Sequence, residues 1–443
     1  MKRVFEEKQQ EGASTSSPAK KKSTNYDGVI EQAKIYFTPI GGITIPLVTS
    51  ENALSFENIC EIIRPERSIH FNFMIDFDWM ISCYPPSLRL KPITLVVGVS
   101  DYGDLRKCAK SHPNVTVIGA PLPIPYGTHH SKLSIFENGV NIHVIISTAN
   151  LITGDWEFKT QQFYHACGDL KRADDTGEDN FRSDLLEYLN YYPKTVDSWK
   201  EIIKNSDFSN IKDRLIFSVP GYHKHKNLGH PRLQSLIANS FASKPPQNPS
   251  TRPLYIAQCS SIGSLGKAPN TWLRGEFLRS LEGSNPAPST CPARMYLIYP
   301  NVENVRESCE GYEAGCSLPY RDEVHRRQDW LNSMFCKWRS ESAQRSKAMP
   351  HCKSYVKFVD GEIEWQVVTS ANLSKAAWGE YQKNNTQLCI RSYEIGVLIT
   401  NPTRCSLPYD YPIVRYDKTN KPWTTDVKHL EPDVFGKKWV HGK

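Results

Sequence analysis

Two short motifs in this chain each place a lysine two residues after a histidine. The first is His130-Ser-Lys132 and the second is His351-Cys-Lys353. Residues i and i+2 of an extended strand point to the same face, so we expect each histidine to project beside its lysine. An Ala-Asn-Leu string and then a tryptophan follow each motif, at Asn150 and Trp156 in the first copy and at Asn372 and Trp378 in the second.

The spacing within the two copies is nearly the same. Lysine and asparagine are 18 residues apart in the first copy and 19 in the second, and asparagine and tryptophan are 6 apart in both. His441-Gly-Lys443 also fits the short motif, but no Ala-Asn-Leu string follows it, so we treat it as a chance match. A repeat present twice predicts two related domains that each contribute half of a shared site.

The combined set of two histidines, two lysines and two asparagines suits chemistry on a phosphodiester. Lysine ammonium groups neutralise the non-bridging oxygens, and asparagine amides donate hydrogen bonds to them. One neutral histidine can attack phosphorus while the other protonates the leaving oxygen. No carboxylates cluster at metal-ligand spacing, and paired lysines would repel a divalent cation, so we expect no metal and no cofactor. A single histidine is more often structural than catalytic, so this expectation depends on the repeat.

Apolar runs and helical patterns alternate along most of the chain, which favours an α/β fold with helices layered on sheets. Helical spacing predicts a helix over 181–192 and a long helix over 321–340, and Pro- and Ser-rich composition predicts loops over 243–249 and 283–288. The predicted strands are residues 93–99, 115–118, 141–147, 215–219, 254–257, 295–299, 363–368 and 395–399.

The length of 443 residues allows two or three domains. We predict a polar, disordered tail over residues 1–26, a first domain over 27–215 and a second over 216–443. The tail contains Lys20-Lys-Lys22, which fits a nuclear-import signal, and a solvated charged tail is an alternative of equal weight.

Composition narrows the class of protein further. The 12 cysteines form no CxxC pair, which indicates a reducing compartment and argues against a zinc or redox motif. No apolar run approaches the ~18 residues of a membrane span. The net charge of +7 suits a polyanionic partner.

At the repeated motifs the sequence resembles the phospholipase D superfamily and, within it, the type 1 tyrosyl-DNA phosphodiesterases. The resemblance runs from about residue 54 to residue 440 and implies two similar α-β-α sandwich domains with mixed sheets and an active site at their interface. The strings that carry it include Gly127-Thr-His-His-Ser-Lys132, Lys159-Thr-Gln161, Ala348-Met-Pro-His351, Thr369-Ser-Ala-Asn-Leu-Ser-Lys-Ala-Ala-Trp-Gly379 and Arg391-Ser-Tyr-Glu394.

One departure from the wider superfamily sharpens this resemblance. Typical members carry an aspartate after four residues following the motif lysine, and here Glu137 and Phe358 stand at those places. The missing aspartate marks the tyrosyl-DNA subgroup and argues against a phospholipid hydrolase.

The resemblance implies a role for each matched residue. His130 is similar to the nucleophile that forms a covalent phosphohistidine, His351 is similar to the general acid/base, and Gln161 and Glu394 are similar to the residues that orient these histidines. Lys132, Lys353, Asn150 and Asn372 match the phosphate-binding set; Tyr126, Phe73, Ser260, Ser261, Ser264 and Lys375 match the DNA-binding groove; and Trp423 matches a segment of the substrate pocket. Core packing is a nearly equal alternative for the aromatic residues, and turn formation is one for the serines.

The implied activity is hydrolysis of the 3′-phosphotyrosyl bond between topoisomerase I and DNA, which leaves a 3′-phosphate. The implied partners are DNA 3′ ends, single-stranded or in a nicked or frayed duplex, and a topoisomerase I-derived peptide. We expect a monomer in the nucleus, with the cytoplasm as a second location, and no membrane. The alternatives are a broader nuclease that removes 3′-end adducts, a phospholipid hydrolase, and an inactive nucleic-acid-binding scaffold, which would need no paired histidines.

Overall fold

The computed structural model describes residues 29–41, 52–170, 179–224, 227–242, 252–283 and 294–440. The predicted tail over 1–26 and the predicted loop over 243–249 lie outside the described residues. Of the predicted loop over 283–288, the structure describes Gly283 alone.

The first half of the chain builds a mixed sheet around short, buried, β-branched runs. Its strand order is β1-β8-β7-β6-β2-β3-β4, and β9 pairs with β8. The strands of this half are β1 (Lys34–Phe37), β2 (Arg67–Phe71), β3 (Ile93–Gly98), β4 (Val115–Ala120), β5 (Thr128–His129), β6 (Leu133–Glu137), β7 (Asn141–Ser147), β8 (Gln162–Leu170) and β9 (Ser206–Asp207).

The second half builds another mixed sheet, in the order β10-β19-β16-β15-β12-β13-β14. The strand β5 of the first half pairs with β19, and β11, β18 and β17 form a separate small sheet. The strands of this half are β10 (Arg214–Ser218), β11 (Gly221–His223), β12 (Leu254–Gln258), β13 (Arg294–Ile298), β14 (Phe335–Cys336), β15 (Ser354–Val359), β16 (Glu362–Thr369), β17 (Glu380–Gln382), β18 (Gln387–Ile390) and β19 (Ser392–Ile399).

The two large sheets have the same topology. In the first, β6, β7 and β8 are antiparallel neighbours, and β2, β3 and β4 are parallel ones. In the second, β15, β16 and β19 are antiparallel, and β12, β13 and β14 are parallel. The mixed α/β fold with two sheets agrees with the predicted fold class. The predicted boundary between residues 215 and 216 falls within β10, and the division into domains stays a prediction.

Helices cover the sheets. Helix α5 begins after Asp179, whose side chain accepts a hydrogen bond from the Arg182 backbone N–H at 2.9 Å, and it buries an apolar face. It corresponds to the helix predicted over 181–192. The helices are α1 (Phe56–Ile63), α2 (Phe77–Ser82), α3 (Tyr102–Cys108), α4 (Thr153–Glu157), α5 (Asn180–Leu189), α6 (Asp197–Lys204), α7 (Gly229–Ser240), α8 (Leu278–Glu282), α9 (Val302–Arg306), α10 (Asp322–Arg326) and α11 (Lys375–Trp378).

The long helix predicted over 321–340 is wrong. That segment forms the short helix α10, a 3-10 turn over Asp329–Ser333 and then β14. Tertiary contacts decide its conformation. The Gln328 side chain accepts a hydrogen bond from the Leu265 N–H at 2.8 Å, and β14 pairs with β13. Local helical spacing could not anticipate these contacts, because they join residues far apart in the sequence.

A common apolar cluster joins the two sheets. It includes Val144 and Ile146 from β7 together with Val368 from β16 and Val397 from β19, all fully buried. The cluster fixes the relative positions of the two halves, and with them the two copies of the repeated motif. Among the described residues, no helix is long and apolar enough to cross a membrane.

Candidate active site

Each copy of the motif is anchored on a strand or loop of the other half. The strand β5 runs parallel to β19, and the His130 N–H donates a hydrogen bond to the Tyr393 carbonyl at 3.0 Å. In the same way, the His351 N–H donates to the Thr160 carbonyl at 3.0 Å. The accepting residues immediately precede Glu394 and Gln161, so these reciprocal backbone bonds bring each histidine beside a polar side chain of the opposite half.

The ring of His130 is held by Glu394. The two are joined by a contact of 3.0 Å between Nδ1 and a carboxylate oxygen. Burial opposes ionisation of Glu394, but His130, Lys132 and Ser370 outweigh it, so the pKa of Glu394 is lowered and the group is a carboxylate at neutral pH. A carboxylate only accepts hydrogen bonds, so Nδ1 of His130 must carry the proton. The lone pair of Nε2 is then free to attack.

The ring of His351 has a different partner. The Gln161 amide nitrogen lies 2.9 Å from Nδ1 of His351, and the Thr148 hydroxyl donates to the Gln161 amide oxygen at 2.8 Å. An amide N–H donates, so Nδ1 of the neutral ring accepts and its proton resides on Nε2. The two histidines are therefore in opposite tautomers. His130 offers a bare Nε2 and His351 offers an N–H at the same ring position.

Burial shifts the pKa values of both histidines downward. It lowers the pKa of His130, which Glu394 partly restores. It lowers the pKa of His351 well below its ordinary value, and the charges of Lys353 and Lys132 lower it further. Both rings are therefore neutral at pH 7 in the absence of a bound anion.

The two motif lysines are fully buried, and the pKa of each is lowered. Burial lowers the pKa of Lys132 to about 7, with a further contribution from Lys353. Burial likewise lowers the pKa of Lys353 to about 8. Each ammonium group donates to the backbone carbonyl of its own motif histidine. Glu394 and Asp155 offset the lowering of both pKa values only in part, so a bound phosphodiester would stabilise the two ammonium groups further and the site suits an anion.

The two asparagines have different surroundings. The side-chain oxygen of Asn372 accepts hydrogen bonds from the backbone N–H groups of Ser260 at 3.1 Å and Ser261 at 3.0 Å. These bonds orient the Asn372 amide. The side-chain oxygen of Asn150 is buried and has no hydrogen-bond partner among the described residues.

Of the residues predicted to bind DNA, Tyr126 is highly exposed and Phe73 lies beside the first His-x-Lys motif. Tyr126 is 92% exposed and has a left-handed backbone conformation with a φ of 62°, so it is not a core residue. Phe73 is half-buried, with its ring centroid 5.4 Å from that of His130 and 5.7 Å from the Lys132 ammonium.

The other residues predicted to bind DNA differ in accessibility. Ser264 is exposed, whereas Ser260 is buried and its hydroxyl donates to Asn372 at 3.2 Å. The geometry thus gives Ser260 a role in orienting Asn372. Ser261 is half-buried, and its hydroxyl donates to the Pro319 carbonyl at 3.1 Å. Lys375 forms an ion pair with Glu380 at 2.9 Å.

Trp423, predicted to line a substrate pocket, is fully buried. Its ring stacks on Tyr312 with a centroid distance of 5.8 Å, and its indole N–H donates to the Gly315 carbonyl at 3.2 Å. Trp423 therefore packs the interior of the second half and cannot contact a substrate directly in this conformation, as the core-packing alternative anticipated.

Sequence reasoning assigned no role to Asp155, which lies beside His351. Its carboxylate oxygen Oδ2 is 3.3 Å from Nδ1 of His351 and accepts a hydrogen bond from the Asn150 N–H at 2.6 Å. The sequence carries one signal that could have identified it. Asp155 follows Asn150 by five residues, whereas Ala377 stands at the corresponding place after Asn372.

The donor chemistry of the site favours anions. Within the part of the chain that the structure describes, no group of three or more His, Cys, Asp or Glu side chains could hold a metal ion. The two lysines of the site would oppose a divalent cation but attract a phosphate.

The two large sheets have the same topology, and each half carries a His-x-Lys motif and an asparagine. The charges of Lys132 and Lys353, from different halves, both lower the pKa of His351. This arrangement defines the phospholipase D-like class. A family model described as tyrosyl-DNA phosphodiesterase matches residues 34–431. The chain therefore belongs to the tyrosyl-DNA phosphodiesterase family.

Individual relatives agree with this assignment. The chain is 52% identical to a probable tyrosyl-DNA phosphodiesterase of Caenorhabditis elegans, over 99% of this chain and 100% of the relative. It is 35% identical to tyrosyl-DNA phosphodiesterase 1 of Drosophila melanogaster, over 86% of this chain and 71% of the relative. A crystal structure of the yeast tyrosyl-DNA phosphodiesterase shares the fold, with a TM-score of 0.68 at 20% identity over 88% of this chain and 100% of the yeast chain.

Proposed function

We propose that this protein is a DNA-repair phosphodiesterase that hydrolyses the bond between a tyrosine and a DNA 3′ phosphate, with its active site between the two sheets. The observation that carries the proposal is the different partner at each Nδ1, the Glu394 carboxylate at His130 and the Gln161 amide nitrogen at His351, from which opposite tautomers of the two neutral rings follow. A double displacement at phosphorus needs one imidazole with a free lone pair and another that can deliver a proton.

In the first step, Nε2 of His130 attacks phosphorus and the tyrosine oxygen leaves. The ring of His130 gains positive charge as the P–N bond forms, and the Glu394 carboxylate at Nδ1 stabilises that charge. The lysine ammonium groups neutralise the non-bridging oxygens. With substrate bound, His351 is protonated on both ring nitrogens, and it donates its Nε2 proton to the departing phenolate and becomes neutral. The phosphodiester charge opposes the effect of the lysines on His351, so binding of substrate raises its pKa toward the range useful for an acid.

In the second step, water attacks the phosphohistidine. His351, now without its Nε2 proton, takes a proton from that water, and the P–N bond breaks to regenerate His130. The product is a DNA 3′-phosphate. The amide of Asn372, oriented by the backbone of Ser260 and Ser261, is placed to donate to the phosphate in both steps.

The surrounding residues support binding of a single DNA strand. An exposed aromatic such as Tyr126 stacks on an unpaired base, and Phe73 stands beside the nucleophile. We propose a topoisomerase I-derived peptide as the natural leaving group and a monomer as the active form. Competition between single-stranded and blunt duplex oligonucleotides, and sedimentation of the free protein, test these two points.

The direct test is turnover of a 3′-phosphotyrosyl oligonucleotide by the purified protein, with the products resolved on a gel. The proposal expects an oligonucleotide that ends in a 3′-phosphate. A panel with other 3′ adducts in place of tyrosine separates this activity from that of a broader 3′-end nuclease, which would process all of them at similar rates. Cleavage of phosphatidylcholine with no cleavage of the oligonucleotide would contradict the proposal.

We propose that the protein acts in the nucleus, where its DNA substrate is located. The support is Lys20-Lys-Lys22, a short basic run of the kind read by import receptors. A fluorescent fusion should accumulate in the nucleus, and replacement of the three lysines by alanine should abolish that accumulation. Exclusion of the unaltered fusion from the nucleus would contradict the proposal.

A further inference from the structure

A buried carboxylate, Asp155, meets the acid/base histidine at the ring nitrogen opposite to the reacting one. Asp155 lies in helix α4 and is 3% exposed. Its Oδ2 is 3.3 Å from Nδ1 of His351, and the same nitrogen lies 2.9 Å from the Gln161 amide nitrogen. Nδ1 of His351 therefore lies beside two groups of opposite kind, an amide nitrogen that donates a hydrogen bond and a carboxylate oxygen, at ion-pair distance, that can only accept one.

The proposed reaction makes a demand on Nδ1 that Gln161 does not meet in this orientation. His351 must donate a proton from Nε2 in the first step and take one up at Nε2 in the second. An imidazole with a bare Nε2 is neutral only when its proton resides on Nδ1, and an imidazolium carries protons on both nitrogens. In both of these forms Nδ1–H is a donor. The amide nitrogen of Gln161 cannot accept that bond, whereas the Asp155 carboxylate can.

We propose that Asp155 is a positioning residue that accepts the Nδ1–H of His351 in the two protonation states that the reaction uses, while Gln161 holds the tautomer of the resting site. The inference rests on the proposed function, since it assumes that His351 exchanges a proton with the leaving group and with water. It adds a carboxylate to the acid/base half of the site.

The proton balance of the cycle follows directly. Imidazolium His351, with Nδ1–H bonded to Asp155, gives its Nε2 proton to the tyrosine oxygen as the P–O bond breaks. The neutral ring keeps Nδ1–H on Asp155 and exposes a lone pair at Nε2. That lone pair takes a proton from water as hydroxide bonds to phosphorus and the P–N bond to His130 breaks. The ring is again an imidazolium, ready to lose its extra proton to solvent or to the next leaving group.

The charges around the pair fit a shared proton. Burial raises the pKa of Asp155, and burial lowers that of His351, so the proton affinities of the two groups are brought closer together than in water. Lys132, Lys353, Lys159 and His130 each disfavour a proton on His351, and the carboxyl group of Glu310 also interacts with that of Asp155. Asp155 is the carboxylate in contact with the ring that opposes them.

The second half of the chain has no equivalent of Asp155, and this asymmetry has a physical reason. Ala377 occupies the matching position after Asn372. The nucleophile His130 already has a carboxylate at Nδ1, because Glu394 stands where the first half has Gln161. Each histidine thus has one carboxylate near its Nδ1. For His351 it is Asp155, which follows the motif asparagine of the first half, and for His130 it is Glu394, on strand β19 of the second half.

The test compares Asp155→Asn with the wild-type protein on two substrates. One carries tyrosine on the 3′ phosphate and the other carries 4-nitrophenol, a much stronger acid than the tyrosine phenol, whose pKa is ~10. The asparagine oxygen can still accept the Asn150 N–H, so the local fold is retained and the substitution removes the negative charge beside Nδ1 of His351. We expect the first step on the tyrosyl substrate to slow ~10²-fold, as for loss of general-acid assistance, and release of nitrophenol to slow far less. Hydrolysis of the phosphohistidine should also slow, so the DNA adduct should accumulate with the nitrophenyl substrate, for which adduct formation stays fast.

A second variant guards against a purely structural effect. Asp155→Asn combined with Gln161→Glu returns a carboxylate to the same ring nitrogen, and it should recover part of the lost rate on the tyrosyl substrate. Equal slowing of both substrates, or wild-type rates for Asp155→Asn, would overturn the inference about Asp155. The proposed function would still stand in that case, provided that the wild-type protein cleaves the tyrosyl substrate. Absence of turnover by the wild-type protein would overturn both.

Discussion

The carboxylate behind the proposed nucleophile offers a quantitative prediction. Glu394→Gln keeps a hydrogen-bond acceptor 3.0 Å from Nδ1 of His130 but removes its charge. Glu394 is buried and is also bonded by the Ser370 hydroxyl, so glutamine, of nearly the same shape, should be held in the same place. The substitution therefore isolates the effect of the negative charge on the developing phosphohistidine.

The magnitude follows from the charge that His130 acquires when it attacks phosphorus. A hydrogen bond to a charged group contributes ~1.5–3 kcal/mol, against ~0.5–1.5 kcal/mol for a neutral one. Because glutamine keeps a neutral hydrogen bond, the loss of transition-state stabilisation is the difference of ~1–1.5 kcal/mol, which corresponds to a ~5- to 13-fold slower first step. Because Glu394 raises the pKa of His130, its neutralisation should also move the acid limb of the rate profile to lower pH.

Single-turnover release of tyrosine from a 3′-phosphotyrosyl oligonucleotide, followed by quenched flow from pH 5 to 9, measures both effects. Glu362→Gln is a matched control, since Glu362 is an exposed carboxylate at the start of strand β16. It should leave the rate and the profile unchanged. A Glu394→Gln protein with the wild-type rate, or with an acid limb at the same pH, would refute the electrostatic role of Glu394.

Three further predictions concern the anion site and the DNA strand. Turnover should persist in EDTA, because two buried lysines supply the positive charge; loss of cleavage that magnesium restores would contradict this. The pKa values are about 7 for Lys132 and about 8 for Lys353, so both lysines lose their positive charge as the pH rises. We therefore expect KM to be constant below pH 7 and to rise above pH 8. A KM that does not change up to pH 9 would count against the anion site. Tyr126→Ala should weaken binding of a single-stranded oligonucleotide ~5- to 150-fold, the range for one stacked base, while Tyr126→Phe should bind normally; unchanged binding by the alanine variant in a fluorescence titration would exclude stacking at Tyr126.

Much of the framework of the candidate site could be predicted from the sequence. The repeat placed His130 and Lys132 before one strand and His351 and Lys353 before another, and the two sheets have the same topology. Period-two spacing and β-branched runs are local features of the sequence. The strands and the duplication could therefore be predicted without knowledge of any tertiary contact.

Contacts between distant residues could not be predicted in the same way. The pairing of β5 with β19 and the approach of Asp155 to His351 join the two halves of the chain. Burial, too, is a property of the whole fold. Trp423, which the resemblance assigned to a substrate pocket, is buried in the interior of the second half, and Ser260 is buried where its N–H donates a hydrogen bond to the Asn372 side chain. Motif matching identifies residue types, whereas accessibility depends on everything packed around them.

The central claim is that His130 is the nucleophile and His351 the acid/base, and covalent trapping tests it most directly. His130→Ala and His351→Ala are each mixed with a labelled 3′-phosphotyrosyl oligonucleotide and resolved on a denaturing gel. His351→Ala should still attack, though more slowly than wild type, since a phenol with a pKa of ~10 leaves without a proton more readily than an alkyl alcohol does. Hydrolysis of the phosphohistidine, which needs a base to activate water, should be slowed more, so labelled DNA should accumulate on the protein. His130→Ala should form no adduct and no product. Trapped DNA on His130→Ala and none on His351→Ala would show that the two roles are reversed.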